Sequence, residues 1–141
     1  MTVTEHTELL RTLYEGVWNG TNPDVADTLV GSEYIIHDRE IAEEMRGPKL
    51  YKTLADMTRE IFPDMMFTID DMVAEDDEVA LRWTMTGTHE GSMFGIAPTG
   101  KRVTLTAIEI DRFEDGKLAE TWTQSDMLGL IEQLDADPSS K

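Results

Sequence analysis

A chain of 141 residues, 40% of them apolar, is long enough for one domain with a real core and short for two. Its formal charge of −17, from 29 acidic against 12 basic residues, argues against a nucleic-acid partner, because phosphate binding needs a basic footprint. The lack of cysteine removes disulfides, thiolate metal sites, iron–sulfur clusters and cysteine nucleophiles together.

The chain opens with Leu9, Leu10, Leu13, Tyr14, Val17 and Trp18 at helical spacing, which predicts an amphipathic helix ended by Asn19-Gly20. Asn22-Pro23 supplies an N-cap and a first-turn proline for a second, shorter helix carrying Val25, Leu29 and Val30 and stopped at Gly31. Residues 33–38 ("EYIIHD") read as a short strand rich in β-formers. Gly47-Pro48 restarts a helix with Leu50, Leu54, Met57 and Ile61 on one stripe, and Phe62-Pro63 ends it.

From there the chain reads as β. Met66 to Ala74 is a strand and 75–78 a turn; in 79–89, Val79, Leu81, Trp83 and Met85 alternate with polar residues. A loop, "EGSMFGIAPTGK", follows, in which Met93, Phe94 and Ile96 are too apolar for idle exposure. Residues 102–113 form a long strand, and a tight hairpin around Asp115-Gly116 leads to the last strand. Asp126 precedes "MLGLIEQL", a short closing helix, and 135–141 is expected to fray. Helices first and a strand meander after is the α+β pattern, a curved antiparallel sheet with a helical layer. One domain over 1–134 is expected. No stretch reaches the roughly 20 apolar residues of a membrane span. The N-terminal Glu5, His6 and Glu8 do not suit a signal peptide, so a cytoplasmic location is expected.

The stretches "YEGVWNGTNPDVADTLV", "RWTMTGTHEG", "GIAPTGK", "RFEDGKLAETW" and "SDMLGLIEQL" together resemble the SnoaL-like polyketide cyclases, also called ester cyclases, across about residues 9–134. The resemblance implies a nuclear transport factor 2-like, cystatin-like α+β fold: a curved sheet wrapped by the N-terminal helices into a cone with a deep apolar pocket, often as a homodimer. It also implies intramolecular aldol ring closure of a small hydrophobic carbonyl substrate, with no metal or organic cofactor. One carboxylate suffices for such chemistry, because flanking carbonyls already acidify the carbon. The resemblance assigns that role to an aspartate near the end of the last strand, matched here by Asp126. The family often reads Glu-His-Trp where this chain has Glu120-Thr121-Trp122.

Residue by residue, a period of two places Glu120, Trp122, Gln124 and Asp126 on one face of the last strand, expected to line the pocket. Thr121 is then expected on the opposite face, outside the pocket. Asp126 has two readings: an acid/base, or an N-cap for the closing helix. Trp122 is either core or pocket wall, and Gln124 could orient a carbonyl. Glu109 interrupts the alternation Val103, Leu105, Ala107, as a second pocket carboxylate or a solvent-facing residue at a sheet edge. His37 is a candidate partner for Asp126, or a hydrogen-bonded histidine at a strand end. Tyr14 and Trp18 lie on the packing stripe of the first helix, where a phenol could also donate to an enolate; Trp83 is expected on the same wall. His6 is expected to be solvated and His89 to shape its loop. No two histidines have metal-ligand spacing, so no metal site is expected. Two rival functions share these residues: a non-catalytic module for a hydrophobic ligand or for dimerisation, and a ketosteroid-isomerase-like proton transfer.

The acidic residues are spread along the whole chain, and only five of the basic residues are lysine. Such a surface suits a salt-rich cytosol, where a Debye length of about 3 Å at 1 M mutes self-repulsion. A halophilic source is the hypothesis this motivates, and the melting temperature should rise with added KCl; a flat or falling response would contradict it.

Overall fold

The computed structural model describes residues 2–37 and 45–135 and contains four α-helices and one curved, unclosed five-stranded sheet. Asp38, at the expected end of the first strand, lies outside the described residues, as do Glu43, Glu44 and 136–141. Helix α1 (Val3–Leu13) starts earlier than its apolar stripe, because Thr2 and Glu5 form a reciprocal capping box. Its last turn widens into a π-helix over Tyr14–Trp18, closed by Asn19 N–H donating to the Tyr14 carbonyl at 2.9 Å. The chain then folds back on itself so tightly that a Cβ at Gly16 would sit 2.8 Å from the Asn22 carbonyl oxygen. A 3₁₀ turn (Pro23–Val25) runs into the short helix α2 (Ala26–Leu29).

Strand β1 (Val30–His37) follows directly, and α3 (Gly47–Ile61) starts at its proline and ends before Pro63, as its sequence predicts. The meander β2 (Met66–Glu75), β3 (Glu78–Thr88), β4 (Arg102–Glu114) and β5 (Lys117–Ser125) is antiparallel, and α4 (Met127–Asp135) closes the chain. The sheet order is β1-β5-β4-β3-β2, with β1 joined to β5 in parallel, the one departure from an all-antiparallel sheet. The core lies between the inner sheet face and the helices, with Leu10, Leu13, Val79, Leu81, Met85, Val103 and Leu118 buried. His6 belongs to it: contrary to the expectation of a solvated terminus, it is buried and stacked on Phe113 at 4.4 Å.

The hairpin between β4 and β5 holds the feature that most affects function. Phe113 pairs with Leu118, but Arg112 pairs with Glu120, so Ala119 is an extra, bulged residue. One inserted residue reverses which side chains face inward along the rest of the strand. Beyond the bulge Thr121 and Thr123 point into the cone, while Trp122 and Gln124 point outward. The expectation that Glu120, Trp122, Gln124 and Asp126 share the pocket face, with Thr121 outside, is therefore reversed.

Asp126 is exposed at the junction of β5 and α4. Its Oδ1 accepts from the Gly129 N–H at 2.9 Å, and its own N–H donates to the Thr106 carbonyl at 2.9 Å. Glycine leaves room for this N-cap, since a Cβ at residue 129 would meet Asp126 Oδ2 at contact closer than any hydrogen bond. Of the two readings, the geometry matches the cap. Asp126→Ala should lower unfolding stability by about 1 kcal/mol, and Asp126→Asn, which retains a capping oxygen, by a few tenths. Chemical denaturation of the two variants checks this; an equal loss in both would contradict the cap.

Candidate functional site

The inner face of the sheet and the helices enclose a pocket of about 320 Å³. Its walls are largely aromatic: Tyr14 and Trp18 from the π-turn, Tyr34 from β1, Tyr51 from α3, Phe67 from β2 and Trp83 from β3. Their rings pack edge-on or tilted, as between Trp18 and Phe67 at 5.0 Å and between Phe67 and Trp83 at 4.9 Å. The π-turn is itself secured from two sides. Arg59 donates to the carbonyls of Val17 and Trp18, and the Asn19 side chain exchanges two hydrogen bonds with the Phe67 backbone on edge strand β2. Tyr14 and Trp18 thus sit on fixed backbone.

The polar groups of the pocket, with the fully buried Asp111 that does not itself line it, are arranged as two rungs across β4 and β5. In an antiparallel pair, residues directly opposite share a face. Glu109 lies opposite Thr123, and Asp111 opposite Thr121. On the first rung Glu109 accepts from the Tyr14 hydroxyl and from the Trp83 indole N–H, each at 3.0 Å and each to a different oxygen. Thr123, buried beside it, has an Oγ1 with no hydrogen-bond partner among the described residues. On the second rung the Tyr34 hydroxyl donates to Thr121 Oγ1 at 2.9 Å, which donates to Asp111 Oδ1 at 2.6 Å.

Most of these groups are buried. Burial, and next the Glu109 and Asp111 carboxyls, push the Tyr14 phenol well above its usual range, so it stays a neutral donor. Burial likewise raises Tyr51, whose oxygen accepts from the Trp18 indole at 2.8 Å. Asp111 is also driven well above the carboxylate range, first by burial and then by the neighbouring Glu109. Among the described residues that line the pocket there is no Lys, Arg or His.

Of the residues singled out from sequence, Tyr14, Trp18, Trp83 and Glu109 meet in this pocket. Glu109 is not on an edge, because β4 is the central strand. Trp122, Gln124, Asp126 and His37 are not brought there. His37 stacks on Trp122 at 5.0 Å and bonds Glu120 on the outer face of the sheet, so it is no partner for Asp126. Arg112 completes that outer cluster through a 2.9 Å contact to Glu120. Asp111, Thr121, Thr123 and Tyr34 escaped the sequence reading. The alternation that marks Glu109 carries on through Asp111 to Phe113, and that continuation was the available signal.

Met93 and Phe94 of the 89–101 loop stand at the pocket mouth, with Phe94 largely exposed. His89 shapes this loop as expected: its N–H donates to Lys101, its carbonyl accepts from Gly100, and its Nδ1 accepts from the Thr99 N–H. A wider groove of about 430 Å³ beside α3 holds the Lys52–Asp27 ion pair and is charged, not apolar. Among the described residues no group of three carboxylates or histidines is disposed to hold a metal ion, and no helix is long and apolar enough to cross a membrane.

Comparison with known proteins converges on one family. The family model for SnoaL-like polyketide cyclases matches residues 8–134. Aklanonic acid methyl ester cyclase AcmA of Streptomyces galilaeus is 28% identical over 134 residues, covering 94% of this chain and 92% of its own. Among solved structures, TsrD from Streptomyces laurentii superposes with a TM-score of 0.85 at 27% identity, covering 97% of this chain and 99% of its own. IdmH from Streptomyces antibioticus gives 0.77 at 29%, covering 92% and 98%. With a nuclear transport factor 2-like fold, an aromatic pocket and a family match spanning nearly its whole length, this chain belongs to the SnoaL-like polyketide cyclases.

Proposed function

We propose that this protein closes a ring in a neutral polyketide ester by intramolecular aldol condensation, with Glu109 moving the proton. The observation that carries the reading is the place of Glu109, a carboxylate reaching the polar end of an otherwise apolar pocket. It takes a proton from a carbon flanked by carbonyls, and the resulting enolate attacks a ketone carbon of the same chain. The new alkoxide then recovers that proton from Glu109, so the product is an isomer of the substrate and the enzyme is restored.

Other groups of the pocket have roles that follow from their chemistry. The Tyr14 hydroxyl, now donating to Glu109, is placed to donate to an enolate oxygen as Glu109 becomes protonated. The unpartnered Thr123 hydroxyl, opposite Glu109, is a hydrogen-bond donor for the acceptor ketone. The aromatic walls hold the folded chain in one reactive conformer. Because nothing cationic is among the described residues that line the pocket, a free carboxylate on the substrate would meet Glu109 uncompensated, and an ester suits the site better. The name of AcmA, a methyl ester cyclase, is consistent with that preference.

The reading includes a homodimer through the outer face of the sheet, where Ile108 is 59% exposed, Ile110 41% and Trp122 38%. Sedimentation should show a dimer that Ile110→Glu dissociates; a monomeric wild type at micromolar concentration removes this part. The catalytic part is tested by deuterium exchange at the central carbon of an alkyl acetoacetate. Glu109→Gln should lower catalysed exchange by about 10²-fold or more, and Asp126→Asn should leave it unchanged. Full activity in Glu109→Gln leaves a ligand-binding module as the better account.

A further inference from the structure

The proposed reaction uses Glu109 and leaves a second carboxyl without a part. Asp111 is wholly buried two residues along the same inward face. One of its oxygens accepts from Thr121 and the other, Oδ2, makes no hydrogen bond among the described residues. An ionised carboxylate in such a place would leave a buried, charge-bearing oxygen beside a second carboxylate, with no cation among the described residues to balance either. The donors already in place dictate where a proton can sit. Tyr34 donates to Thr121 and Thr121 to Oδ1, which leaves Oδ2 as the oxygen free to carry one.

We infer that Asp111 is a positioning residue that keeps its proton and turns it toward Glu109, so that the two carboxyls carry one negative charge between them. This rests on the reading of Glu109 as the base. The groups facing Asp111 are Glu109 on its own strand, Thr121 from β5, Tyr34 from β1, Tyr14 from the π-turn and Tyr51 from α3. None is cationic, and the Tyr14 and Tyr51 phenols are held neutral by burial. Burial and the Glu109 charge both favour the neutral form of Asp111, in keeping with the geometry. A neutral donor behind the base serves two ends. It fixes the orientation of Glu109 while the Tyr14 hydroxyl is given up to substrate, and it keeps a second negative charge out of a site where an enolate must form.

Infrared difference spectroscopy of the full chain, wild type minus Asp111→Asn, tests this at neutral pH without any substrate. A protonated carboxylic acid carbonyl band should appear in the wild type, move on carboxyl-¹³C labelling of aspartate, vanish in Asp111→Asn and survive in Glu109→Gln. A wild type without that band, or a band that persists in Asp111→Asn, overturns the proposal. Linkage supplies a second readout. A carboxyl that keeps its proton only when folded makes stability fall as pH rises above the unfolded value of about 3.9. Asp111→Asn should abolish that falling contribution, and an unaltered pH slope would count against it.

In acetoacetate exchange, Asp111→Asn keeps a neutral donor and should stay within about threefold of wild type, whereas Asp111→Leu should lose about tenfold or more. Equal losses in both contradict a positioning role. Should Asp111→Leu not fold, the infrared band and the pH slope decide. Glu109→Gln with full exchange but an intact band would refute the base and leave the state of Asp111 standing.

Discussion

Two carboxyl groups on the inner face of one central strand, with no cationic partner among the described residues, set the terms for the rest of this site. Charge in an apolar interior is tolerated only when hydrogen-bonded, and two like charges on neighbouring rungs are worse than one. The surroundings of Glu109 and Asp111 meet that demand with neutral donors alone: a phenol and an indole for one, a threonine backed by a second phenol for the other. The aromatic residues thus do more than fill space. Tyr14, Trp83 and Tyr34 present apolar bodies to the pocket and their polar atoms to the carboxyl rungs, which lets a charged group occupy the base of an apolar cavity.

The rest of the fold holds those donors in place. A π-turn at the end of α1 carries Tyr14 and Trp18, and it is tied to α3 by Arg59 and to the edge of the sheet by Asn19. A single bulged residue, Ala119, turns Thr121 and Thr123 inward opposite Asp111 and Glu109. Were Ala119 instead paired in unbroken hairpin register with Arg112, Trp122 would come opposite Glu109, and the rung chemistry would be lost. The same reversal sends Trp122 outward to stack on His37, giving the outer face its apolar and aromatic character. Inner pocket and outer surface are therefore two results of one backbone irregularity.

Much of this was legible in the residues. Element order, the Gly47-Pro48 start of α3, its stop before Pro63, and the inward positions of Tyr14, Trp18, Trp83 and Glu109 follow from periodicity and from the known behaviour of proline. What failed was the phase of β5. A period of two groups Trp122 with Glu120, Gln124 and Asp126 but does not say which side that face takes, and nothing in "KLAETWTQSD" announces that Ala119 is extra. A bulge is set by how two strands pair, so the pattern of one strand cannot reveal it. Asp126 lies beyond the same bulge, and its exposed place at the helix start matches the N-cap of its two readings. Asp111 was missed for a different reason: an aspartate in a strand pattern reads as surface, and only the partners supplied by β1 and β5 make its burial possible.

The claim on which the account depends is that a carbonyl ligand binds on the inner face, against Glu109, and the three tryptophans report it directly. Trp83 donates to Glu109, Trp18 to Tyr51 at the pocket wall, and Trp122 lies on the outer face. Titration of ¹⁵N-labelled protein with a neutral β-keto ester should shift the indole N–H resonances of Trp83 and Trp18 and leave Trp122 in place. Movement of Trp122 alone would put the ligand on the outside of the sheet and contradict the account.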